Sequence, residues 1–308
     1  MSKLVALTGV TGFVGPHLVA ALARRGVRLR LLVRRWSPLP SLGGVAADMV
    51  LGDLSDEAAL RRLVDGADTV VHAAGLIKAR RPDDFMTVNR DGTALLSALA
   101  PEATFILLSS LAAREPALSP YGASKHAAEQ VVAGRSGPWL TVRAPAVYGP
   151  GDRETLAYFK AVARGLAPQP RLRDARLSLI HVADLAEALA VSVAWQPPAS
   201  TYEIDDGREG GYGYADMAAA AGQAIGRRPL SLAIPRPVMA VMARVNAAAN
   251  ALGGPVQILT PGKVAEIFLS DWAVHDRRLA AALGFRARYD LAAGFGETIL
   301  WYRRHGWL

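Results

Sequence analysis

The chain of 308 residues contains no cysteine. Disulfides, thiolate nucleophiles and cysteine-ligated metals are excluded together. Histidine is scarce, with six residues and no second one at ligand spacing, so no metal centre is expected. Lysine occurs only at positions 3, 78, 125, 160 and 263, and the net charge of +8 is therefore carried by arginine. These arginines do not form one block interleaved with aromatics, which argues against nucleic acid. A solvated surface, an anionic membrane surface and a phosphate-bearing ligand are the readings left for that charge. No basic leader or cleavable apolar segment precedes the first strand, so the cytoplasm is the expected location. A content of 51% hydrophobic and 20% charged residues is that of a globular chain, long enough for one large core or a core with an appended lobe.

Glycine is plentiful, and its placement at the start of the chain is informative. Leu4-Val5-Ala6-Leu7-Thr8-Gly9-Val10-Thr11-Gly12-Phe13-Val14-Gly15 runs from an apolar strand through a glycine turn into a helix with Phe13, Leu18, Ala21 and Leu22 on one face. Gly9 can take the tight turn, Gly12 lets the backbone approach a pyrophosphate, and Gly15 lets the helix lie close on the strand. The free N–H groups of the helix start then face the anion. Glycine turns also serve as plain connectors, but the strand-to-helix context here predicts dinucleotide binding.

Short β-rich runs at 3–8, 28–33, 68–72, 103–109 and 138–143 alternate with helical stretches near 13–25, 56–64, 84–100 and 121–134. That alternation predicts an α/β fold, a Rossmann-type doubly wound parallel sheet. After Gly149-Pro150-Gly151 the texture changes, and Leu177 to Ile180 and Thr201 to Ile204 read as strands returning to the sheet. The expected domains are 1–150 with returning segments at about 177–206, and a smaller, discontinuous C-terminal substrate lobe of 151–176 and 207–308. Ligands of such sheets bind beyond the strand C-termini, in a cleft.

In NAD-binding units of this kind an acid about 20 residues past the glycines holds the ribose hydroxyls. Leu31-Leu32-Val33-Arg34-Arg35 has no acid there. Arg34 could pair with a 2′-phosphate and Arg35 could flank the adenine, so NADP(H) is the predicted cofactor rather than NAD. Asp53 of Gly52-Asp53-Leu54 could receive the adenine amino group; helix capping by the nearby Ser55 is the structural alternative.

Tyr121 and Lys125 stand one helical turn apart after a buried strand that ends in Ser109-Ser110. With 8 tyrosines and five lysines in 308 residues, about 0.13 such pairs is expected by chance. An ammonium near a phenol favours its anion and makes proton exchange feasible at neutral pH. A serine hydroxyl at the strand end can hydrogen-bond a carbonyl oxygen on which charge develops; capping is its other reading.

The chain resembles the extended short-chain dehydrogenase/reductase superfamily over nearly its whole length. The matching elements are TGVTGFVG, GDLSD, VVHAAG at 70–75, VNRDGT at 88–93, LLSS at 107–110, YGASK at 121–125, RAPAVYGPGD at 143–152 and IHVADLAEAL at 180–189. The resemblance implies a catalytic triad of Ser110, Tyr121 and Lys125, with Lys125 also on the nicotinamide ribose. It implies a cofactor lined by Gly9, Thr11, Gly12, Phe13, Val14, Gly15, Asp53, Leu54, Ala73, Ala74 and Gly75, passed by Pro145, Ala146 and Val147. Asn89 reads as a bridge between strand and helix backbones, and His181 with Asp184 as scaffold. Leu111-Ala112-Ala113 stands where sugar-nucleotide epimerases carry a third hydroxyl or a Thr-Asp-Glu run, which is closer to hydroxysteroid and dihydroflavonol reductases. The short stretch from Ser110 to Tyr121 is similar to the branch containing the NADPH-binding accessory subunit of respiratory complex I, although retention of Tyr121 and Lys125 argues for turnover.

The expected activity is NADPH-dependent reduction of a bulky apolar ketone, such as a 3-keto lipid of sphingoid or ceramide type or a steroid. The alternatives are a sugar-nucleotide epimerase or dehydratase and a non-catalytic NADPH-binding assembly protein. Two further segments stay open. Lys78-Ala79-Arg80-Arg81 is either a solvated loop or a contact for an anionic headgroup. The stripe Val238, Val241, Met242, Val245, Ala249 and Leu252 packs the lobe, lines an apolar pocket, or touches a membrane peripherally at its inner face. Arg244 and the length argue against a spanning helix. A monomer or a homodimer fits the chain equally.

Overall fold

The computed structural model describes residues 2–34, 47–195 and 198–308. Seven strands form one sheet in which every neighbour is parallel. They are β1 (Leu4–Thr8), β2 (Arg28–Val33), β3 (Ala47–Leu51), β4 (Thr69–His72), β5 (Thr104–Ser110), β6 (Trp139–Ala144) and the returning strand Ser200–Glu203. Across the sheet the order is Ser200–Glu203, β6, β5, β4, β1, β2, β3. The order reverses between β1 and β4, and a doubly wound sheet opens its ligand crevice at the C-terminal ends of such a strand pair.

The helices between these strands are α1 (Val14–Ala23), α2 (Glu57–Val64), α3 (Pro82–Phe85), α4 (Gly92–Leu99) and α5 (Pro120–Ala133). Alternate strand residues, Ala6, Leu32, Val50, Val70, Phe105 and Leu107, pack against Leu60 and Leu63 of α2, Leu96 of α4, and Ala128 and Val132 of α5. That is the period of two expected of strands meeting the stripe of a helix. Asp56 caps α2 by accepting the Ala59 N–H at 2.9 Å, so the capping role considered for Ser55 belongs to its neighbour. The expected helix at 84–100 is interrupted: a π-turn over Met86–Asp91 lies between α3 and α4 and carries Asn89 inward. Phe13 is not on the buried face of α1. It stands at the N-cap, half-buried and edge-on to His17 at 6.2 Å.

The chain divides into two compact units, the first being 1–144, 185–203 and 277–285, the second 145–184, 204–276 and 286–308. The expected boundary at 150 thus falls at Ala144, and the returning segment is 185–203. Ser200–Glu203 rejoins the sheet beside β6, as expected for the stretch near 201–204. Residues 177–180 do not. Leu179–His181 pairs in parallel with Ala146–Tyr148, and Arg176–Leu177 pairs with Asp271–Trp272. Pro145 has no N–H to give, which ends the β6 ladder and leaves 146–148 to form a separate strand.

The second unit is built on an aromatic stack. Tyr148, Phe159 and Phe295 meet edge to face at 4.9–5.0 Å, and Phe159 meets Tyr302 at 5.8 Å. Gly294 is required there, because a Cβ would lie 2.8 Å from Tyr148 ring carbons. Among the described residues no helix is long and apolar enough to cross a membrane.

Candidate active site

The glycine turn is shaped by its surroundings. Gly9 has φ +80°, and a Cβ on it would come within 2.6 Å of the Ala73 and Ala74 backbone. The loop after β1 therefore lies directly on the loop after β4. Gly15 is closed in the same way, with a Cβ meeting the Val10 backbone at 2.5 Å, which brings α1 onto the turn. Gly12 differs. It is exposed, and only the Gly9 carbonyl oxygen, at 3.2 Å, stands near its missing Cβ. The first turn of α1 has no capping side chain and no acid. An open backbone at Gly12 beside uncapped helix amides is a cradle that a Cβ would fill, and it fits a pyrophosphate. Thr11 is exposed and Val14 half-buried at the same turn.

The loop Ala73-Ala74-Gly75 is held by a buried polar chain. Thr93 donates to the Asn89 carbonyl at 2.5 Å, so at 3.0 Å from His72 Nε2 its hydroxyl is left to accept. His72 Nε2 therefore bears the proton, and Nδ1 accepts from the Thr8 hydroxyl at 2.7 Å. Thr8 in turn accepts the Ala74 N–H at 3.2 Å. Burial, with a smaller contribution from the Lys125 charge, pushes His72 down to about 3, so this imidazole is neutral. Asn89 bridges, though to a loop backbone and a helix side chain rather than to strand and helix backbones: it accepts the Leu76 N–H at 2.7 Å, donates to the Leu76 carbonyl at 3.1 Å and donates to Ser124 Oγ at 2.9 Å. Ser124 Oγ donates to the Tyr121 carbonyl at 2.8 Å.

Tyr121 lies in the first turn of α5, capped by Ser119, which accepts the Gly122 N–H at 2.9 Å. Gly122 permits a close approach, since a Cβ would sit 2.7 Å from the Ala112 carbonyl oxygen, just past Ser110. The strand end and the helix start are thus fixed together. Ser110 Oγ accepts the Ala112 N–H at 3.2 Å, which leaves its own proton for another acceptor. The half-buried Tyr121 ring meets Phe85 edge-on at 6.1 Å.

Lys125 is buried and donates to the Leu108 carbonyl at 2.7 Å. Burial lowers it to about 8, opposed by the Glu129 carboxylate, which favours the ammonium. Glu129 is itself clamped, accepting from Ser109 at 2.5 Å and from both arms of Arg143 at 3.0 and 2.6 Å. Glu129 and Arg143 went unnamed in the sequence reading. The signal was present, for Glu129 stands four residues after Lys125 on a helix.

Arg34 is exposed at the end of β2, and its charge helps to hold the Asp53 carboxyl below its usual range, after the hydrogen bonds from Ser55. Asp53 accepts the Ser55 N–H and hydroxyl at 2.8 and 2.6 Å. Leu54 packs on Gly92, where a Cβ would lie 2.9 Å from the leucine Cβ. Arg35 lies outside the described residues. Pro145, Ala146 and Val147 belong to the second unit, in the strand pair with Leu179–His181. In that unit Asp184 accepts the N–H groups of Arg288 and Tyr289, both at 3.0 Å, and His181 rests on Tyr289 at 4.1 Å. Both residues do the scaffold work read from the sequence. Arg81, of the basic run after the β4 loop, pairs with Asp84 at 3.1 Å.

A model of the NAD dependent epimerase/dehydratase family matches residues 5–204. The chain belongs to that family. It is an NAD(P)-dependent oxidoreductase of the short-chain dehydrogenase/reductase kind. It is 40% identical over 307 residues to the ceramide reductase of Caulobacter vibrioides (strain NA1000 / CB15N), covering 99% of this chain and 96% of that one. A 4-hydroxy-2-methyl-3-oxo-4-farnesyl-3,4-dihydroquinoline-1-oxide ketoreductase of Stigmatella aurantiaca is 29% identical over 227 residues, 65% of this chain and 67% of the other. Among solved structures, gox2253 matches with a TM-score of 0.80 at 24% identity, covering both chains fully. MoeE5, solved with UDP-glucuronic acid and NAD, matches at 0.74 and 22% identity, over 99% of this chain and all of the other. At these identities the structural likenesses speak for the fold alone.

Proposed function

We propose that this family member is an NADPH-dependent ketone reductase acting on a long-chain lipid of ceramide type. One observation carries the chemistry: a buried ammonium, Lys125, follows Tyr121 by one helical turn on the helix that packs against the end of β5. NADPH, when bound, supplies the hydride for the carbonyl carbon. Tyr121 gives its phenolic proton to the carbonyl oxygen, and the Lys125 ammonium favours the phenolate left behind. Ser110 directs its unused hydroxyl proton to the same oxygen. The ketone becomes a secondary alcohol, and Tyr121 recovers its proton from solvent.

Gly9, Thr11, Gly12, Phe13, Val14, Gly15, Ala73, Ala74 and Gly75 would hold the cofactor, with Arg34 taking the 2′-phosphate and Asp53 and Leu54 the adenine end. Pro145, Ala146 and Val147 complete the assignment. The absence of an acid at the end of β2 supports NADPH over NADH. Whole-length similarity to a ceramide reductase supports the lipid substrate.

The test is NADPH oxidation by the purified chain with N-acylated 3-keto sphingoid bases of increasing acyl length. kcat/KM should rise with acyl length until the pocket is filled, since each buried methylene contributes about 0.8 kcal/mol. Tyr121→Phe should lose about 10²–10⁴ in kcat while keeping NADPH binding. Near-parental kcat in Tyr121→Phe would overturn the proton-donor role. A flat response to acyl length, with activity on a nucleotide-linked sugar, would overturn the substrate class.

A further inference from the structure

The helix Arg236–Ala251 packs with the wrong side for its most apolar stripe. Its buried residues are Met239 and Ala243, which join Val264 in a small core with Ile234, Leu259, Ile267 and Phe268. Asn246, on the same side, donates to the Leu259 carbonyl at 3.2 Å. The stripe itself lies about 130° around the helix from that face. Val238, Val241, Met242 and Val245 are 50%, 56%, 48% and 62% exposed, and Leu252, just past the helix, is 90% exposed. The preceding strand, Leu230–Ile234, adds Leu230 and Leu232 on one face, and Leu230 pairs with the exposed Leu166.

Charge separates the candidate occupants. From Met217 to Ala265 the sequence contains no Asp or Glu, yet it holds Arg227, Arg228, Arg236 and Arg244; Lys263, also in this stretch, is paired with Glu266 just beyond it at 2.8 Å. A stretch of under a sixth of the chain therefore carries four arginine charges with no acid among them. A second copy docking on this face would set cation against cation. A surface of anionic headgroups over acyl chains matches both features, since apolar side chains enter the acyl boundary while flanking arginines meet phosphates.

We infer that the helix Arg236–Ala251, with the strand leading into it, is a docking face that lays the stripe Val238, Val241, Met242 and Val245 into the surface of an anionic bilayer. The helix lies in the interface plane; it is too short and carries Arg244 too near its middle to span. The inference does not rest on the lipid-substrate reading, because it uses no residue of the active site.

The experiment is co-sedimentation of the full chain with vesicles of phosphatidylcholine, alone or with about 30% phosphatidylglycerol. The protein should pellet with the anionic vesicles and not the neutral ones, and about 0.5 M salt should release it. Val241→Asn/Val245→Asn should weaken binding at least tenfold. Arg227→Gln/Arg228→Gln/Arg244→Gln should weaken it about a hundredfold at low salt, roughly fivefold for each charge. Both variants change exposed residues, so melting temperature and NADPH affinity should match the parent. Failure to bind anionic vesicles, or equal binding by the valine variant, would overturn the inference. So would a concentration-dependent dimer that the valine variant abolishes, since the face would then belong to a second copy of the chain.

Discussion

Substituting Gly12 and Gly9 one at a time separates a glycine turn that merely connects from one that holds a dinucleotide. At Gly9 a methyl group meets backbone atoms of Ala73 and Ala74 at 2.6 Å, and φ is +80°. The left-handed conformation alone costs alanine about 1–2 kcal/mol. The collision adds to that, because backbone on both sides must move. Gly9→Ala should lose well over 2 kcal/mol of stability. Gly12 has no positive φ, and its methyl group would meet a single carbonyl oxygen at 3.2 Å. The few tenths of an ångström of adjustment are set against about 0.4–1 kcal/mol gained from a stiffer unfolded chain, so Gly12→Ala should melt within a few degrees of the parent. The same methyl group projects into the open cradle. Displacing a pyrophosphate oxygen from one helix N–H forfeits a charge-assisted bond of about 1.5–3 kcal/mol, or roughly ten- to a hundredfold in affinity. Calorimetric titration with NADPH, paired with a thermal melt, reads both numbers on one preparation. A Gly12→Ala protein that melts normally and binds NADPH within about twofold of the parent would refute the cradle.

Two other perturbations test neighbouring parts of the site. Arg34→Ala should weaken NADPH at least tenfold with little change for NADH, and equal losses for both in titrations would remove the 2′-phosphate assignment. At Lys125 the folded value is about 8 against 10.5 for the free group, so between those values the unfolded chain binds more protons. Stability from this site is therefore lowest below pH 8 and recovers by roughly 2–4 kcal/mol as pH rises to 10.5, while kcat/KM falls over the same window. Lys125→Met should abolish the stability rise relative to wild type, and a parallel rise in both proteins would place the titration elsewhere.

How much was legible in the sequence follows from how local each signal is. Runs such as Phe105-Ile106-Leu107-Leu108 announce buried strands because both faces are apolar, and the structure has β5 there. The glycine turn was legible because Gly9 needs a positive φ and Gly15 a close backbone approach, both of which only glycine allows. What stayed hidden depends on partners distant in sequence. Nothing near His72 says that Thr8 and Thr93, 64 and 21 residues away, will fix its tautomer and so anchor the Ala74 N–H. The π-turn that turns Asn89 inward is an insertion into a helix, and apolar spacing does not separate it from a regular one. The strand near 177–180 departs from the expected sheet for the same reason: its β-rich composition is real, but it pairs with Ala146–Tyr148, which the break at Pro145 separates from β6.

The helix Arg236–Ala251 is the sharpest instance of this limit and carries a physical lesson. Periodicity finds an apolar face; it does not say what covers that face. Here the chain had two helical stripes to choose from, and it buried the one with Met239 and Ala243, which packs with Val264 and Ile267. The richer stripe was left outside. Burying Val241 and Val245 inside the protein would contribute roughly 1.5–3 kcal/mol each, a gain that the folded monomer forgoes. A face that forgoes burial in the fold, in a stretch without a single acid, has its compensation outside the chain, and an anionic bilayer supplies both the apolar depth and the opposite charge. The active site and this face are then independent readings of the molecule: Gly12→Ala weakens NADPH binding and leaves vesicle binding, and Val241→Asn/Val245→Asn does the reverse.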